Sequence, residues 1–169
     1  LERALEGRLA QSLLTRMSVE VNGRVAHERV LNDALFCHVS PAATSRYLVQ
    51  LGDAVEEHKS SGFWIGPAAG STAAQRSAGG RGPALTSKSL QLVVREPYTP
   101  RGNRYALRRA LLHPGEVLVV RSKMRQAAIF LDGPDEVVKV DYGDVLGFRR
   151  SDEPLRLLGI SPRRGRASW

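Results

Sequence analysis

Between Met17 and Leu158 the chain is cut by turn signals too closely spaced for anything but short extended segments. Asn22-Gly23, Gly52-Asp53, Arg101-Gly102-Asn103, His113-Pro114-Gly115, Asp132-Gly133-Pro134 and Tyr142-Gly143-Asp144 each join a glycine to residues that favour tight turns. Glycine accepts positive φ, and Asn, Asp and Pro stabilise the neighbouring turn positions. Between these breaks the side chains alternate. Met17, Val19 and Val21 flank Ser18 and Glu20, and Tyr47, Val49 and Leu51 flank Arg46, Leu48 and Gln50. A period of two marks a half-buried strand. Asn22-Gly23 is the strongest two-residue hairpin signal, and Gly52-Asp53 opens a second hairpin. Further strands are expected at 90–95, 104–112, 116–121, 127–131, 137–141, 145–149 and 155–160. The cadence predicts a mainly β protein, an antiparallel sandwich-like fold with one or two short helices.

At 169 residues the chain is long enough to bury one core without covalent staples. Residues 1–160 are expected to form one domain, and the polar, basic stretch 161–169 a disordered tail. Leu1, Leu5, Leu9 and Leu13 recur every four residues, the stripe of an amphipathic helix. The chain opens inside that pattern without a Met, as expected of a segment of a longer protein. Cys37 is the sole cysteine, which excludes an internal disulfide and suits a reducing, cytoplasmic setting. Its neighbour His38 would point to the opposite face of a strand, so a buried structural thiol is expected rather than a nucleophile. No apolar run reaches the ~18 residues of a membrane span.

The net charge of +8 rests on 25 basic residues, of which only Lys59, Lys88, Lys123 and Lys139 are lysines. Such a balance suits nucleic acid, an acidic surface or a phosphorylated ligand. The arginines are scattered, however, and aromatics do not interleave with them as a single-strand-binding groove requires. Specific nucleic-acid binding is therefore not expected. Zinc-ligand pairs, a Walker-type Gly-Lys-Ser/Thr and a Gly-x-Ser-x-Gly elbow are all missing from the sequence. Asp141 and Asp144 flank Tyr142-Gly143 and read as a solvated turn rather than a metal pair.

Two stretches stand out. Leu31-Asn32-Asp33 interrupts an extended run, and adjacent Asn and Asp disfavour a strand interior. They mark a turn or bulge, or a polar pair aimed at a ligand. Residues 59–80 begin as an apolar strand, Phe63-Trp64-Ile65, and break at Gly66-Pro67. They restart at Ser71 or Thr72 as an expected helix ending near Gly79. A strand, a small-residue loop and a helix start can receive an anion or a nucleotide, and the same pattern also makes an ordinary strand-to-helix turn.

Val30-Leu31-Asn32-Asp33, followed by Gly70-Ser71-Thr72-Ala73 and Ser77-Ala78-Gly79-Gly80, resembles the C-terminal domain of NAD kinases. Lys59-Ser60-Ser61-Gly62, Val94-Arg95-Glu96-Pro97, Val120-Arg121-Ser122 and Asp132-Gly133 are similar to the mitochondrial-type branch and its bacterial relatives. The resemblance implies a β-rich acceptor-binding domain of an ATP-dependent enzyme that phosphorylates the adenosine ribose 2′-hydroxyl of NAD to give NADP. It implies that Asn32 and Asp33 hold ribose hydroxyls, and that Ser71, Thr72 and Ser77 bond the dinucleotide. Gly70 and Ala73 would let the backbone approach, with Ser61 at a neighbouring contact. Arg95 and Arg121 are candidates for phosphate. A homodimer or higher homo-oligomer is implied, with ATP as phosphoryl donor and Mg2+ held mainly outside this chain.

The sequence also departs from the family pattern. The family's Gly-Gly-Asp-Gly, whose aspartate acts on the hydroxyl, is not in the chain, so no catalytic residue is assigned here and the base is expected in a preceding domain. Ala74 stands where a tyrosine is common, and Pro67-Ala68-Ala69 where Thr-Pro-Thr is common. Ser60-Ser61-Gly62 replaces a Gly-Asp-Gly that typically reaches a neighbouring subunit's adenine. A degenerate NAD-binding regulator, a lipid-kinase-like domain and a non-catalytic binder of nucleic acid or acidic partners through the Arg excess stay open on the sequence alone.

Overall fold

Alternation translates into strands almost wherever the turns allow it. The computed structural model describes residues 9–102 and 104–159. Its strands are β1 (Gln11–Leu14), β2 (Met17–Val21), β3 (Arg24–Val30), β4 (Ala34–His38), β5 (Ser45–Leu51), β6 (Ala54–Ser60) and β7 (Phe63–Gly66). A single helical turn, α1 (Ala74–Ser77), precedes β8 (Leu90–Val94), β9 (Arg109–Leu112), β10 (Val117–Ser122), β11 (Ala127–Leu131), β12 (Glu136–Val140), β13 (Val145–Arg150) and β14 (Leu155–Leu158). One six-stranded sheet has the order β3-β2-β13-β10-β5-β6, and the other β12-β11-β4-β7-β8-β9, with β1 and β14 as a separate pair. Every pairing is antiparallel. The expected β-rich, sandwich-like architecture is what the chain adopts.

The two large sheets meet through aromatic rings. Phe36 and Phe63 of the second sheet pack against Tyr47 of the first at 5.6 and 5.2 Å, and Phe63 also meets Phe148 at 5.7 Å. These edge-on contacts suit the ring quadrupoles. Each ring is fully buried, with Met17, Ile65, Leu92, Leu118, Val120 and Ile129 around it. Burying each such side chain stabilises the fold by roughly 1.5–3 kcal/mol. Asn22 and Gly23 lie at φ 52° and 74°, the backbone a tight Asn-Gly hairpin requires. The turn is pinned from outside: Asn22 Nδ2 donates to Asp144 Oδ1 and Val145 N–H to Asn22 Oδ1. Asp144 also accepts the Asp141 amide at 2.8 Å, so both aspartates serve the turn.

Three expectations need correction. The four-residue leucine stripe does not make a helix as far as Leu13, which pairs with Arg156 in β1–β14; Leu1 and Leu5 lie outside the described residues, as does the 161–169 tail. Cross-strand pairing outweighs helical periodicity where a partner strand is present. The strand expected over 104–112 is extended only from Arg109. Ala106–Arg108 form a short 3-10 turn because Glu56 accepts the amides of Ala106 and Leu107 at 2.8 and 2.9 Å and Leu107 is buried. The helix expected from Ser71 or Thr72 starts at Ala74 and has no side-chain cap. The Ser71 hydroxyl is turned inward and donates to Ala68 O at 2.8 Å, so it is spent on the preceding turn. Gly79 does take the left-handed conformation after that helix, at φ 91°.

Candidate functional site

The Asn-Asp break is where the chain leaves one sheet for the other. β3 ends at Val30 in the first sheet and β4 begins at Ala34 in the second. The three linking amides have no ladder partner, and one carboxylate receives all of them. Asp132 accepts N–H bonds from Leu31 at 2.9 Å, Asn32 at 2.7 Å and Asp33 at 3.2 Å. Asp132 itself sits at φ 51° in the β11–β12 turn, and its own amide donates to Asp33 O. A carboxylate accepting several amides is a strong, directional clamp.

The clamped turn lies on the glycine loop. A Cβ on Gly70 would stand 1.9 Å from Asn32 O, and one on Gly66 would stand 2.4 Å from the same oxygen and 2.8 Å from Asp33 Cα. The space at Gly70 is therefore filled by the chain's own Asn32 backbone. The structure thus brings Asn32 and Asp33 against the segment that leads into Ser71, Thr72 and Ala73. Asn32, Thr72, Ala73 and Ser77 are exposed around this junction, whereas Ser71 is buried.

Burial pushes the Asp33 carboxyl up to about 6, and the neighbouring Asp132 charge adds to the effect. A carboxyl poised there changes charge in mild acid and can switch between donor and acceptor. Behind the junction the amide orientations are fixed by one unambiguous donor. Arg81 N–H donates to Gln91 Oε1, so the Gln91 NH2 group faces Gln75 Oε1 at 3.0 Å. The Gln75 NH2 is thereby turned to Gly66 and the Asn32–Asp33 turn, fully buried and without an acceptor among the described residues.

Asp33 opens onto a cleft of about 330 Å³ walled by Leu35, Trp64, Phe130 and Pro134. Strand alternation explains the wall: Phe36, Phe63, Ile65 and Ile129 point inward, so Leu35, Trp64 and Phe130 line up on the outer face, in register across β11, β4 and β7. On the other side of Trp64 lies a second cleft of about 470 Å³, lined by Ala74, Ser77, Arg95 and Arg108 among others. The Arg95 guanidinium stands 5.9 Å from the Trp64 ring centroid, within cation–π range. Ser61 is nearby, its hydroxyl donating to Glu96. Arg121 is not brought to this region: it belongs to the first sheet and donates to Gly143 O. Cys37 is half-buried rather than buried, and burial pushes its thiol up, so it stays protonated.

Sequence reasoning missed Trp64, Gln75 and the clamp made by Asp132. Trp64 was legible as the outward residue of Phe63-Trp64-Ile65. Asp132 was visible in the sequence only as a turn and short-motif residue; its clamp, like the Gln75 amide, depends on segments far apart in the chain.

The two-sheet antiparallel fold has counterparts among solved structures of nicotinamide-dinucleotide kinases. The yeast NADH kinase complexed with NADH superposes with a TM-score of 0.81 at 13% identity, over 95% of this chain and 48% of that one. An NAD kinase from Archaeoglobus fulgidus in complex with ATP gives 0.72 at 18% identity, over 92% and 57%. By sequence, the chain is 34% identical over 161 residues to a probable NADH kinase of Oryza sativa subsp. japonica, covering 92% of this chain and 49% of the relative. It is 29% identical over 146 residues to an NAD kinase of Methanocorpusculum labreanum, covering 86% and 52%. The chain thus spans about half the length of the curated relatives it matches. No protein-family model matches it. These sequence relatives and structural neighbours support the NAD kinase family for this chain.

Proposed function

We propose that this chain is the acceptor-binding part of an ATP-dependent NAD kinase, holding NAD or NADH while the adenosine ribose 2′-hydroxyl takes a phosphoryl group to give NADP(H). The observation that carries this reading is the seating of the clamped Asn32–Asp33 turn on Gly66 and Gly70, with Thr72 and Ser77 exposed on the segment that follows Gly70. Asn32 offers both an amide donor and an acceptor, and ionised Asp33 accepts two hydroxyl donors. Thr72, Ala73 and Ser77 supply further polar edges and close approach, Gly70 lets the Asn32 turn seat, and Ser71 shapes the loop from within. Ser61 donates to Glu96, which lines the neighbouring cleft. Phosphoryl transfer is mainly positioning and charge stabilisation, so fixing the acceptor is itself a catalytic contribution.

On this reading ATP and the base belong to the half of the relatives' length that the chain does not cover. The described residues contain no group of three His, Cys, Asp or Glu side chains able to hold a cation, so Mg2+ is assigned to the ATP side and no step here runs through it. The short motifs around Ser61, Arg95 and Asp132 support reading it as a relative of the mitochondrial-type branch. A homo-oligomer in the cytoplasm fits the reading; no described helix is long and apolar enough to cross a membrane.

The test is steady-state kinetics of the complete protein. Asn32→Ala should raise KM for NAD by about 10-fold or more, the worth of one charged or bidentate hydrogen bond, and leave KM for ATP unchanged. Failure of the wild-type protein to form NADP(H), or an unchanged KM for NAD in the variant, would refute it.

A further inference from the structure

We propose that Trp64 is the ring platform of the acceptor site, dividing it into an apolar half for one heteroaromatic ring of the dinucleotide and a cationic half for its pyrophosphate. This rests on the function proposed above.

Trp64 is the common wall of the two clefts. It is only half-buried, although its neighbours Phe63 and Ile65 are fully buried. A large indole is held on an open face by Leu35 and Val93, its partners across β4 and β8. On the Asp33 side the walls are Leu35, Phe130 and Pro134, which offer flat apolar surface and a single carboxylate at the rim. That composition takes a planar ring edge-bonded at one point. On the far side, Arg95 and Arg108 face the cleft, and its one carboxylate, Glu96, is engaged by the Ser61 hydroxyl. That composition takes a doubly charged phosphate group. Ala74 has no side chain beyond Cβ to cover the indole from α1, so the ring is left reachable from the Ser77 side. Both volumes, about 330 and 470 Å³, fall in the range of small-molecule sites. A ligand with a flat ring joined to a pyrophosphate bridges them; a lone ring or a lone phosphate fills only one.

Calorimetry of NAD binding to the complete protein, with Trp64→Phe, Trp64→Leu and the double variant Arg95→Gln/Arg108→Gln, tests the assignment. Stacking of a base on an aromatic side chain is worth ≈ 1–3 kcal/mol, so Trp64→Leu should weaken NAD by about 10-fold or more while Trp64→Phe keeps most of the affinity. The arginine variant should weaken NAD and flatten its salt dependence, leaving nicotinamide riboside and adenosine unaffected. Wild-type affinity in Trp64→Leu, with binding lost in Asn32→Ala, would overturn the platform and leave the kinase assignment standing. No NAD or NADH binding by the wild type would overturn both. If Trp64→Leu fails to fold, tryptophan-sensitised NADH emission decides: its loss in Trp64→Phe supports the platform, and unchanged emission overturns it.

Discussion

Gly70→Ala isolates the contact on which the site is built. Gly70 does not occupy the left-handed region, so alanine meets no backbone penalty there and the effect is steric. The new Cβ would stand 1.9 Å from Asn32 O, whereas ordinary contact begins near 3.4 Å, so that oxygen must retreat by about 1.5 Å. The Asn32 amide is held by Asp132 at 2.7 Å, and a retreat of that size breaks at least this bond. Overpacking costs about 1–3 kcal/mol, and a hydrogen bond to a charged group about 1.5–3, so Gly70→Ala should lose roughly 3–5 kcal/mol. Urea unfolding of wild type and variant measures it, with Gly143→Ala as reference. Gly143 lies at φ 90° with nothing near its Cβ position, so it reports backbone strain alone. NAD titration of the folded variant should show the Asn32–Asp33 turn displaced, as a loss of affinity. A Gly70→Ala protein within about 0.5 kcal/mol of wild type, the range of neutral surface changes, would refute the reasoning.

Two further outcomes depend on pH. Asp33 holds its proton up to about 6 in the fold against 3.8 when unfolded. Its contribution to stability is therefore greatest below 3.8 and declines as pH rises to about 6. NAD affinity should climb through the same window as the carboxylate forms, and Asp33→Asn should flatten that climb; an identical pH profile in the variant would count against the role given to Asp33. His58 behaves oppositely. It is fully buried between the rings of Tyr47 and Tyr105, at 5.6 and 4.3 Å, and burial holds its pKa below 6.5 despite the partner Glu56. Its contribution is complete above 6.5 and is lost as pH falls from there towards the folded value, because the unfolded chain takes the proton first. His58→Phe should remove that slope from a pH series of melting temperatures, and an unaltered slope would contradict it.

Local chemistry written in the sequence decided the hairpins, the antiparallel order of most strands and the identity of the inward residues. Asn-Gly and Gly-Asp turns act over four residues, and period-two alternation needs only one apolar face. The Asn32–Asp33 break and the glycine loop were visible for the same reason, since each violates the pattern around it. Tertiary structure alone decided what those breaks do. Asp132 is about a hundred residues from the amides it clamps, and nothing in its own surroundings specifies three distant donors. Leu13 and residues 104–108 follow remote partners, β14 and Glu56, over their local preference. The Ser71 hydroxyl, expected at a helix start, is turned inward to donate to Ala68 O. Short-range propensity sets which residues can turn or extend; it cannot set which two turns meet, because that energy exists only once both sheets have closed on their shared core.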